Sequence, residues 1–283
     1  MKLGIRGYYI KHYGDTEGAK RMAEQGYSYL DFPLADTDSE YYKKKDESFL
    51  LTVNAKRKEL KSAGIEVYQI HGPWRVPQDA TDEDRAERFE KMTKAMVIAK
   101  YLGAKYMAVH PLMPYGADSP DNPEEIYAIN KKYFTALANV AKNLGVTVCL
   151  ENMPFRSFPL SSPRALGDFI RDIGSESLKM CFDTGHANMF EGSVGDMLRE
   201  VSDLVKILHL HDNLGDEDSH LPLYEGNIDW ADFAEALFDI GFDGPVSLEC
   251  SPVCDADFET LSKEEILKRE LRLASYAKLI AGE

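Results

Sequence analysis

The most constraining feature of this chain is a regular alternation between short apolar segments and longer amphipathic ones. Eight short runs, rich in β-branched and aromatic residues, predict strands at residues 3–9, 27–32, 66–70, 106–109, 146–150, 179–182, 205–210 and 246–248. Eight segments with helical periodicity alternate with them, at residues 16–25, 46–63, 82–102, 123–144, 162–173, 194–201, 230–240 and 262–280. Several of these segments end at a glycine, such as Gly64, Gly103 and Gly145, where the C-terminus of a helix favours a positive φ. The pattern therefore predicts eight strand–helix pairs.

The composition of the strands indicates how these pairs assemble. The runs are almost continuously apolar, which is typical of a parallel sheet that is buried on both faces. Eight such units within 283 residues predict an α/β protein that forms a (β/α)8 TIM barrel, with residues 1–283 in a single domain. A doubly wound sheet is the alternative arrangement of the same units.

Charge and cysteine usage narrow the range of partners. The chain carries 33 Lys and Arg against 48 Asp and Glu, and this net charge of -15 disfavours nucleic acid and anionic membranes as partners. The sequence has no apolar stretch long enough to span a bilayer and no signal-peptide pattern. Cys149, Cys181 and Cys250 lie in apolar runs, as buried reduced thiols do, although a metal pair or bridge between Cys250 and Cys254 stays an alternative. We therefore expect a cytoplasmic protein.

Residues that bind divalent cations stand at the ends of the predicted strands. Six consecutive strands finish in such a residue, namely His71, His110, Glu151, Asp183, His209 and Glu249. The carboxyl ends of barrel strands meet on one face, where active sites form. A carboxylate that closes an apolar strand loses hydration, which costs several kcal/mol unless a cation or hydrogen-bond donors compensate. The pattern therefore predicts a metal site.

The chemistry of this ligand set limits the choice of cofactor. Glu151, Asp183 and Glu249 offer hard oxygens and His209 offers one imidazole nitrogen, a combination that suits Mn²⁺, Mg²⁺, Co²⁺ or Zn²⁺. The glycines form no phosphate-binding or dinucleotide fingerprint, so no nucleotide cofactor is predicted.

The histidines follow the same distribution. Six of the seven lie at these strand ends or in the loop after the seventh strand, among them His186, His211 and His220. That loop covers residues 213–229, and a structureless stretch of this length in a compact domain is usually functional. The seventh histidine, His12, falls outside the pattern and is predicted to be an exposed loop residue.

The motifs at these strand ends resemble those of a known superfamily. They are IHGPW at residues 70–74, VHP at 109–111, LEN at 150–152, FDTGHAN at 182–188, HLHDN at 209–213, DSHLPLYEGNIDW at 218–230 and SLE at 247–249. In this order, across residues 70–249, they resemble the xylose-isomerase-like TIM-barrel superfamily. Its members include sugar-phosphate isomerase/epimerase-like proteins, ketose 3-epimerases, inosose dehydratase and endonuclease IV. The motifs are specific for the superfamily and weak on the substrate.

The resemblance implies roles for individual residues. The metal ligands of the family fall on Glu151, Asp183, His209 and Glu249, and the ligand is His209 instead of His211 because Asp212 follows it by three positions. The two glutamates would also transfer protons, as they do in the family's epimerases, and His186 would contact substrate oxygens. The implied activity is a metal-dependent isomerase or epimerase that works through an enediolate on a small polyhydroxy carbonyl substrate.

Further residues of the same face are expected to line the substrate pocket or to hold additional ions, at His71/His110 or at His186/Asp218/His220. They are His71, His110, His186, His211, Asp218 and His220. Trp74 either stacks on a sugar face or is a packing residue, and Arg156 either holds a substrate phosphate or carboxylate or is a surface residue. Arg6, a charge inside a barrel strand, requires a partner.

Two kinds of alternative function remain open at this level. Endonuclease IV, which repairs abasic DNA, binds three zinc ions, and its nine ligands would fall on His71, His110, Glu151, Asp183, His186, His209, Asp218, His220 and Glu249. The net charge and the acidic loop at residues 33–40 oppose DNA binding. A sugar dehydratase or lyase, or a non-catalytic sugar-binding subunit, is the other kind of alternative. The sequence leaves the sugar, the metal and the oligomeric state, a homo-oligomer included, undetermined.

Overall fold

Eight parallel strands form one sheet around a central axis. The computed structural model describes residues 1–43, 48–74, 80–117 and 121–283. The strands of these residues are β1 Leu3–Arg6, β2 Tyr27–Pro33, β3 Glu66–His71, β4 Tyr106–Val109, β5 Thr147–Glu151, β6 Leu178–Asp183, β7 Val205–His209 and β8 Val246–Leu248.

The order of the strands closes the sheet into a barrel. Neighbours follow the chain from β1 to β7, and β8 pairs with the other edge of β1, always in parallel. Leu210, one residue beyond β7, completes the ring: its N–H donates to the Ser247 carbonyl at 2.9 Å, and its carbonyl accepts from the Glu249 N–H at 2.9 Å. The TIM-barrel prediction is confirmed, and the doubly wound alternative is wrong because that sheet keeps two open edges.

Helices surround the barrel and connect its strands. The described residues contain α1 Tyr8–Tyr13, α2 Asp15–Glu24, α3 Glu40–Lys43, α4 Phe49–Ser62, α5 Asp82–Leu102, α6 Pro123–Leu144, α7 Pro163–Ile173, α8 Thr184–Asn188, α9 Val194–Glu200, α10 Trp230–Asp239, α11 Asp255–Phe258 and α12 Lys263–Ala281. Thr81 and Ser262 cap α5 and α12 through their side-chain oxygens, and Gly103 ends α5 in a left-handed conformation. These local signals explain why the long helices lie where the periodicity predicts them.

Two predictions near the N-terminus are wrong. The first strand ends at Arg6 instead of residue 9, because Tyr8 and Tyr9 bury their rings from a short helix and not from a strand. His12 lies in α1 and is not an exposed loop residue: its ring stacks on Phe258 with centroids 4.0 Å apart, and Nε2 is 3.1 Å from Asp255 Oδ1. Both partners belong to the segment after β8. The contact therefore forms only because the fold brings the N-terminal and C-terminal parts of the chain together, and the local sequence around His12 does not predict it.

Other differences are smaller. The periodicity missed α3, α8 and α11, which are four or five residues long and carry no resolvable period. The predicted start of the second helical segment, residue 46, lies outside the described residues, and the corresponding helix, α4, begins at Phe49. Among the described residues no helix has both the length and the apolar character needed to cross a membrane.

The cysteines are consistent with their predicted burial. Cys149, Cys181 and Cys250 are buried, Cys254 is exposed, and all four thiols are free, so the bridge between Cys250 and Cys254 is not formed. Cys149 and Cys181 pack with Ala108 and Ile207 into a small apolar cluster.

Candidate metal centre and active site

The carboxyl ends of the strands bring the four predicted ligands together on one face of the barrel. Glu151, Asp183 and His209 are the last residues of β5, β6 and β7, and Glu249 directly follows β8. One ligand atom of each lies within 4.8 Å of the others. All four residues are buried, and Glu249, at 9% exposure, is the most accessible of them. We call these four residues the central cluster.

The imidazole of His209 shows that the central cluster requires a positive charge. Its Nε2 lies 3.0 Å from Asp31 Oδ2, and from this contact we assign the ring proton to Nε2. Nδ1 then faces Glu151 Oε1 at 3.0 Å and Glu249 Oε2 at 2.8 Å. A neutral ring presents a lone pair at Nδ1, so three electron-rich atoms meet there unless a proton or a metal ion lies between them.

The electrostatics of the cluster point in the same direction. Burial would lower the pKa of His209, but Cys181, Glu151 and Asp31 raise that pKa well above its ordinary value. Burial would raise the pKa of Glu151, but His209 and His110 hold it well below its usual range. The cluster therefore favours charged carboxylates around a positive charge, and a divalent cation supplies such a charge.

The unpaired acceptors of the cluster test whether a metal ion fits. Glu151 Oε2, Asp183 Oδ2 and Glu249 Oε2 are buried and accept no hydrogen bond from the described residues. Buried acceptors without a partner are rare and costly in folded proteins. Because three hard oxygens and one imidazole nitrogen converge, the residues fit a divalent cation.

Two further histidines approach the central cluster from β3 and β4. Nε2 of His110 lies 3.2 Å from Glu151 Oε2, and Nε2 of His71 lies 3.8 Å from the same oxygen. His71 Nδ1 donates to the Gly72 carbonyl at 2.9 Å, which leaves Nε2 as the lone pair that faces Glu151. Burial lowers the pKa of both histidines, so both rings are suited to bind a cation in their neutral form.

The long loop after β7 contributes to a third group, formed by His186, His211, Asp218 and His220. His186 Nδ1 donates to the Asn152 carbonyl at 2.7 Å, and its Nε2 lies 3.2 Å from Asp218 Oδ2. His220 Nδ1 donates to the Glu249 carbonyl at 3.1 Å, and its Nε2 lies 3.4 Å from the same carboxylate oxygen. Two imidazoles therefore direct their second nitrogen at one carboxylate, an arrangement that again requires a proton or a cation.

His211 connects this group to the central cluster. Its Nε2 lies 3.0 Å from Asp183 Oδ1, and its ring stacks on His220 with centroids 3.9 Å apart. The FDTGHAN motif makes room for this ring, because a Cβ at Gly185 would overlap the imidazole. The Thr184 hydroxyl also donates to the His211 carbonyl at 2.8 Å, so the motif fixes the end of β7.

Three residues that the sequence reasoning missed hold the candidate ligands in place. Asp31 Oδ2 accepts from His209 and from Gln69 Nε2, the latter at 3.2 Å. Asn152 exchanges two hydrogen bonds of 2.9 Å with the backbone of Asp183. Asp31 stands in the apolar run of β2, so the signal that selected Glu151 would also have found it. Gln69 and Asn152 carry no comparable signal, since neutral amides are common in strands and loops.

The remaining predicted residues, Arg6, Trp74 and Arg156, make contacts of different kinds around the site. Arg6 finds its partner in Glu249, because Nη1 contacts Oε1. Trp74 packs edge to face against His110, with ring centroids 3.9 Å apart. Arg156 donates from Nε to the Met189 carbonyl at 2.5 Å and from Nη2 to the Gly215 carbonyl at 2.9 Å. The substrate-binding roles of Trp74 and Arg156 stay predictions.

Comparison with known proteins agrees with this architecture. A family model described as xylose isomerase-like TIM barrel matches residues 19–275. The chain belongs to this family. The family relationship confirms the resemblance on which the ligand assignments were based.

Individual proteins that resemble this chain share a moderate to low sequence identity with it. An uncharacterized protein of Methanocaldococcus jannaschii is 27% identical over 282 residues, which are 97% of this chain and 91% of that one. D-psicose 3-epimerase of Agrobacterium fabrum is 26% identical over 255 residues, which are 88% of this chain and 84% of the enzyme. A crystal structure of D-psicose 3-epimerase in the presence of D-fructose has a TM-score of 0.81, with 19% identity over the whole of both chains. At that identity the structural similarity shows the fold alone.

Proposed function

We propose that this protein is a divalent-metal-dependent sugar epimerase or isomerase that acts on a small polyhydroxy aldehyde or ketone. The observation that carries the proposal is the meeting of Glu151 and Glu249 at His209 Nδ1, with unpaired carboxylate oxygens among the described residues. The similarity to D-psicose 3-epimerase along 88% of the chain supports a ketose as the substrate class.

The two glutamates would move the proton. Away from His209, Glu151 Oε2 faces His110 at 3.2 Å, whereas Glu249 Oε1 faces Arg6. A substrate carbon placed between them would meet one carboxylate on each side. One glutamate removes the proton beside the carbonyl, and the other returns a proton to the opposite face, which inverts that carbon. Return of the proton to the neighbouring carbon would give an isomer instead.

The other side chains would bind and orient the substrate. A divalent cation held by Glu151, Asp183, His209 and Glu249 would supply Lewis-acid chemistry, which acidifies the C–H beside a carbonyl and stabilises an enediolate. Burial lowers the pKa of His186, but Asp183 and Asp218 raise it to about 9. Its Nε2, which lies 3.2 Å from Asp218 Oδ2, is the nitrogen that would donate to a substrate oxygen in place of that carboxylate. The pocket would be lined by His71, His110, His211, Asp218, His220, Trp74 and Arg156.

Solvent exchange tests this proposal directly. The protein would be incubated in D₂O with a panel of ketoses and aldoses and with Mn²⁺, Mg²⁺, Co²⁺ or Zn²⁺ in turn. We expect deuterium at the carbon next to the carbonyl, detected by NMR, and the configuration of the product separates epimerisation from isomerisation. Loss of water from the substrate would reveal a dehydratase or lyase instead. Binding of a sugar without any exchange would contradict the proposal and favour a non-catalytic binding subunit.

One observation favours a second candidate, a zinc-dependent nuclease for abasic DNA that is similar to endonuclease IV. All nine residues implied by that resemblance lie within three adjoining groups, each able to hold an ion. The acidic balance of the chain opposes this candidate, because DNA affinity depends on phosphate contacts made by Lys and Arg. The sugar epimerase therefore remains our proposal.

The metal content separates the two candidates. We propose at least one ion in the central cluster, with further ions at His71/His110 or at His186/Asp218/His220. Elemental analysis of the purified protein would give the number of ions per chain. Three zinc ions together with nicking of an abasic duplex would replace the epimerase proposal. Deuterium exchange into a sugar without nicking would support it at any ion count.

A further inference from the structure

A wide cleft opens from the central cluster beside β1 and β8. Its volume is about 930 Å³, and Arg6, His220 and Glu249 lie where the cleft meets the cluster. Helix α12 and the segment after β8 form its outer side, with Arg269 and Arg272 among the lining residues. Ligand pockets in this size range enclose molecules well above the size of a free pentose or hexose.

Arg6 connects the buried cluster to this cleft. Ile5 pairs with Leu248, so Arg6 and Glu249 are the next residues on neighbouring strands. Nη1 contacts Glu249 Oε1, yet 29% of the Arg6 side chain is exposed, against 4% for Glu249. One part of the guanidinium therefore faces the proton-transferring carboxylate, and the rest lines the cleft.

The charges around the cleft differ from those of the chain as a whole. Its described lining contains four Lys and Arg, Arg6, Lys11, Arg269 and Arg272, and four Asp and Glu, Glu225, Glu249, Asp255 and Asp257. The charges cancel here, whereas the whole chain carries -15. The pairs at the rim, such as Arg269 with Asp257 at 3.1 Å, are partly exposed. Exposed ion pairs of this kind contribute little to stability, so a ligand anion would displace the carboxylate easily.

We infer that the substrate of this site carries a carboxylate or a phosphate and that Arg6 binds this group from the cleft side. The inference rests on the proposed function and specifies the substrate class. The planar fork of a guanidinium matches the geometry of both oxyanions, which a neutral sugar lacks. Because Arg6 contacts the carboxylate of Glu249, the anionic group would lie within a few bonds of the reacting carbon. Arg6 is thus the residue that selects an anionic sugar.

The decisive experiment compares matched sugars. Wild-type protein, Arg6→Gln and Arg6→Lys would be assayed by deuterium exchange with a neutral ketohexose, its 1- and 6-phosphates and the ketohexuronate of equal length. Arg164→Gln, which removes one charge from an exposed pair with Glu200, is the control. We expect a kcat/KM at least 100-fold higher for an anionic sugar than for the neutral one. Arg6→Gln should reduce that ratio at least 30-fold, Arg6→Lys should reduce it less, and the control should retain it.

A binding measurement that needs no turnover completes the test. Calorimetry with inorganic phosphate and with gluconate, a non-reactive sugar acid, distinguishes phosphate from carboxylate as the preferred anion. We expect one of them to bind wild type and to lose at least tenfold in affinity with Arg6→Gln. Elemental analysis of the same variant should show an unchanged metal content. Loss of metal would make Arg6 a positioning residue for Glu249 and would overturn its role in substrate selection.

The outcomes also separate this inference from the proposed function. If deuterium exchanges into neutral ketoses as fast as into every anionic sugar, the inference is overturned and the epimerase proposal is unaffected. Absence of exchange into every sugar overturns the epimerase proposal. In that case an anion that binds wild type and not Arg6→Gln still supports Arg6 as the anion site, and equal or absent binding overturns it.

Discussion

Glu270 in α12 and Glu151 at the end of β5 are both buried carboxylates, with 0% and 1% exposure, yet their surroundings are opposite. The hydrogen bonds to Glu270 come from neutral donors, and the guanidinium of Arg21 adds a positive charge, with Nη1 3.9 Å from Oε2. Tyr8 and Tyr13 donate their hydroxyls to Oε1 at 3.2 and 2.7 Å, and Gln25 Nε2 donates to Oε2 at 2.9 Å. The Tyr9 hydroxyl in turn donates to Gln25 Oε1 at 2.6 Å, so the network is complete within the protein.

Around Glu151 the partners are imidazoles and other carboxylates. Oε1 meets His209 Nδ1, and Oε2 accepts no hydrogen bond from the described residues. Asp183 and Glu249 in the same cluster also have an unpaired oxygen. Burial alone therefore does not identify a functional carboxylate in this chain. What distinguishes the two places is whether the protein itself satisfies the buried charge.

The largest expected effect follows from removing one of the two glutamates that we propose to transfer the proton. Glu151→Gln or Glu249→Gln should lower kcat by about 10³-fold or more, since an amide cannot accept the proton. The circular dichroism spectrum should be unchanged, because the strands that carry these residues do not depend on them. Glu66→Gln, at the opposite end of β3, is the control and should retain full turnover. Full activity in both site variants would refute the two-glutamate mechanism.

Removal of the metal should have the next largest effect. Incubation with a chelator followed by its removal should reduce turnover at least about 100-fold, because Lewis-acid stabilisation supplies several kcal/mol. Addition of one divalent cation should restore turnover and raise Tm by mass action. In Glu151→Gln the cation should raise Tm less, and an equal rise would place the bound ion elsewhere.

The next prediction concerns Glu270, the buried carboxylate outside the candidate site. Glu270→Gln should lower the free energy of unfolding by about 3 kcal/mol. The substitution replaces one carboxylate oxygen, which accepts hydrogen bonds, by an amide NH₂ group, which would face the donors of the tyrosines or of Gln25. Turnover per folded molecule should stay within about twofold, because the network lies among α1, α2 and α12. Urea unfolding beside Glu264→Gln, an exposed change in the first turn of α12, would measure the difference. If Glu270→Gln abolished turnover in folded protein, the distinction between the two carboxylates would fail.

The smallest expected effect concerns the residue behind His209. Asp31→Asn should weaken metal binding about 10-fold to 100-fold, because Asp31 fixes the proton on Nε2 and directs Nδ1 into the cluster. Competition with a chromophoric chelator would measure the affinity, and excess metal should restore turnover. An affinity within twofold of wild type would show that Glu151 and Glu249 hold His209 without this support.

Much of the fold was predictable because the periodicity of apolar residues is a local property of the chain. The buried faces of the strands and the glycine ends of the helices lie within a few residues of one another, so each element could be recognised separately. Tyr8 and Tyr9 show the limit of this reasoning. Their apolar character indicates burial, but whether a strand or a helix buries them depends on what packs beside them.

The residues that form the central cluster were also accessible from the sequence. Glu151, Asp183 and Glu249 end apolar strands, and the barrel rule brings strand ends together. Asp31 would have been found by the same reasoning, applied to every strand. Glu270 would not have been set apart by it, since a helix carries many glutamates and only the packed structure shows which one is buried.

By itself the sequence determined the alternation of strands and helices, the acidic balance of the chain and the residue types at the strand ends. Only the tertiary structure decided which of these side chains meet. It placed Arg6 between Glu249 and the cleft, and it closed the barrel through Leu210. The reason is that element formation depends on neighbours along the chain, whereas the surroundings of a charge depend on residues that are distant in sequence and near in space.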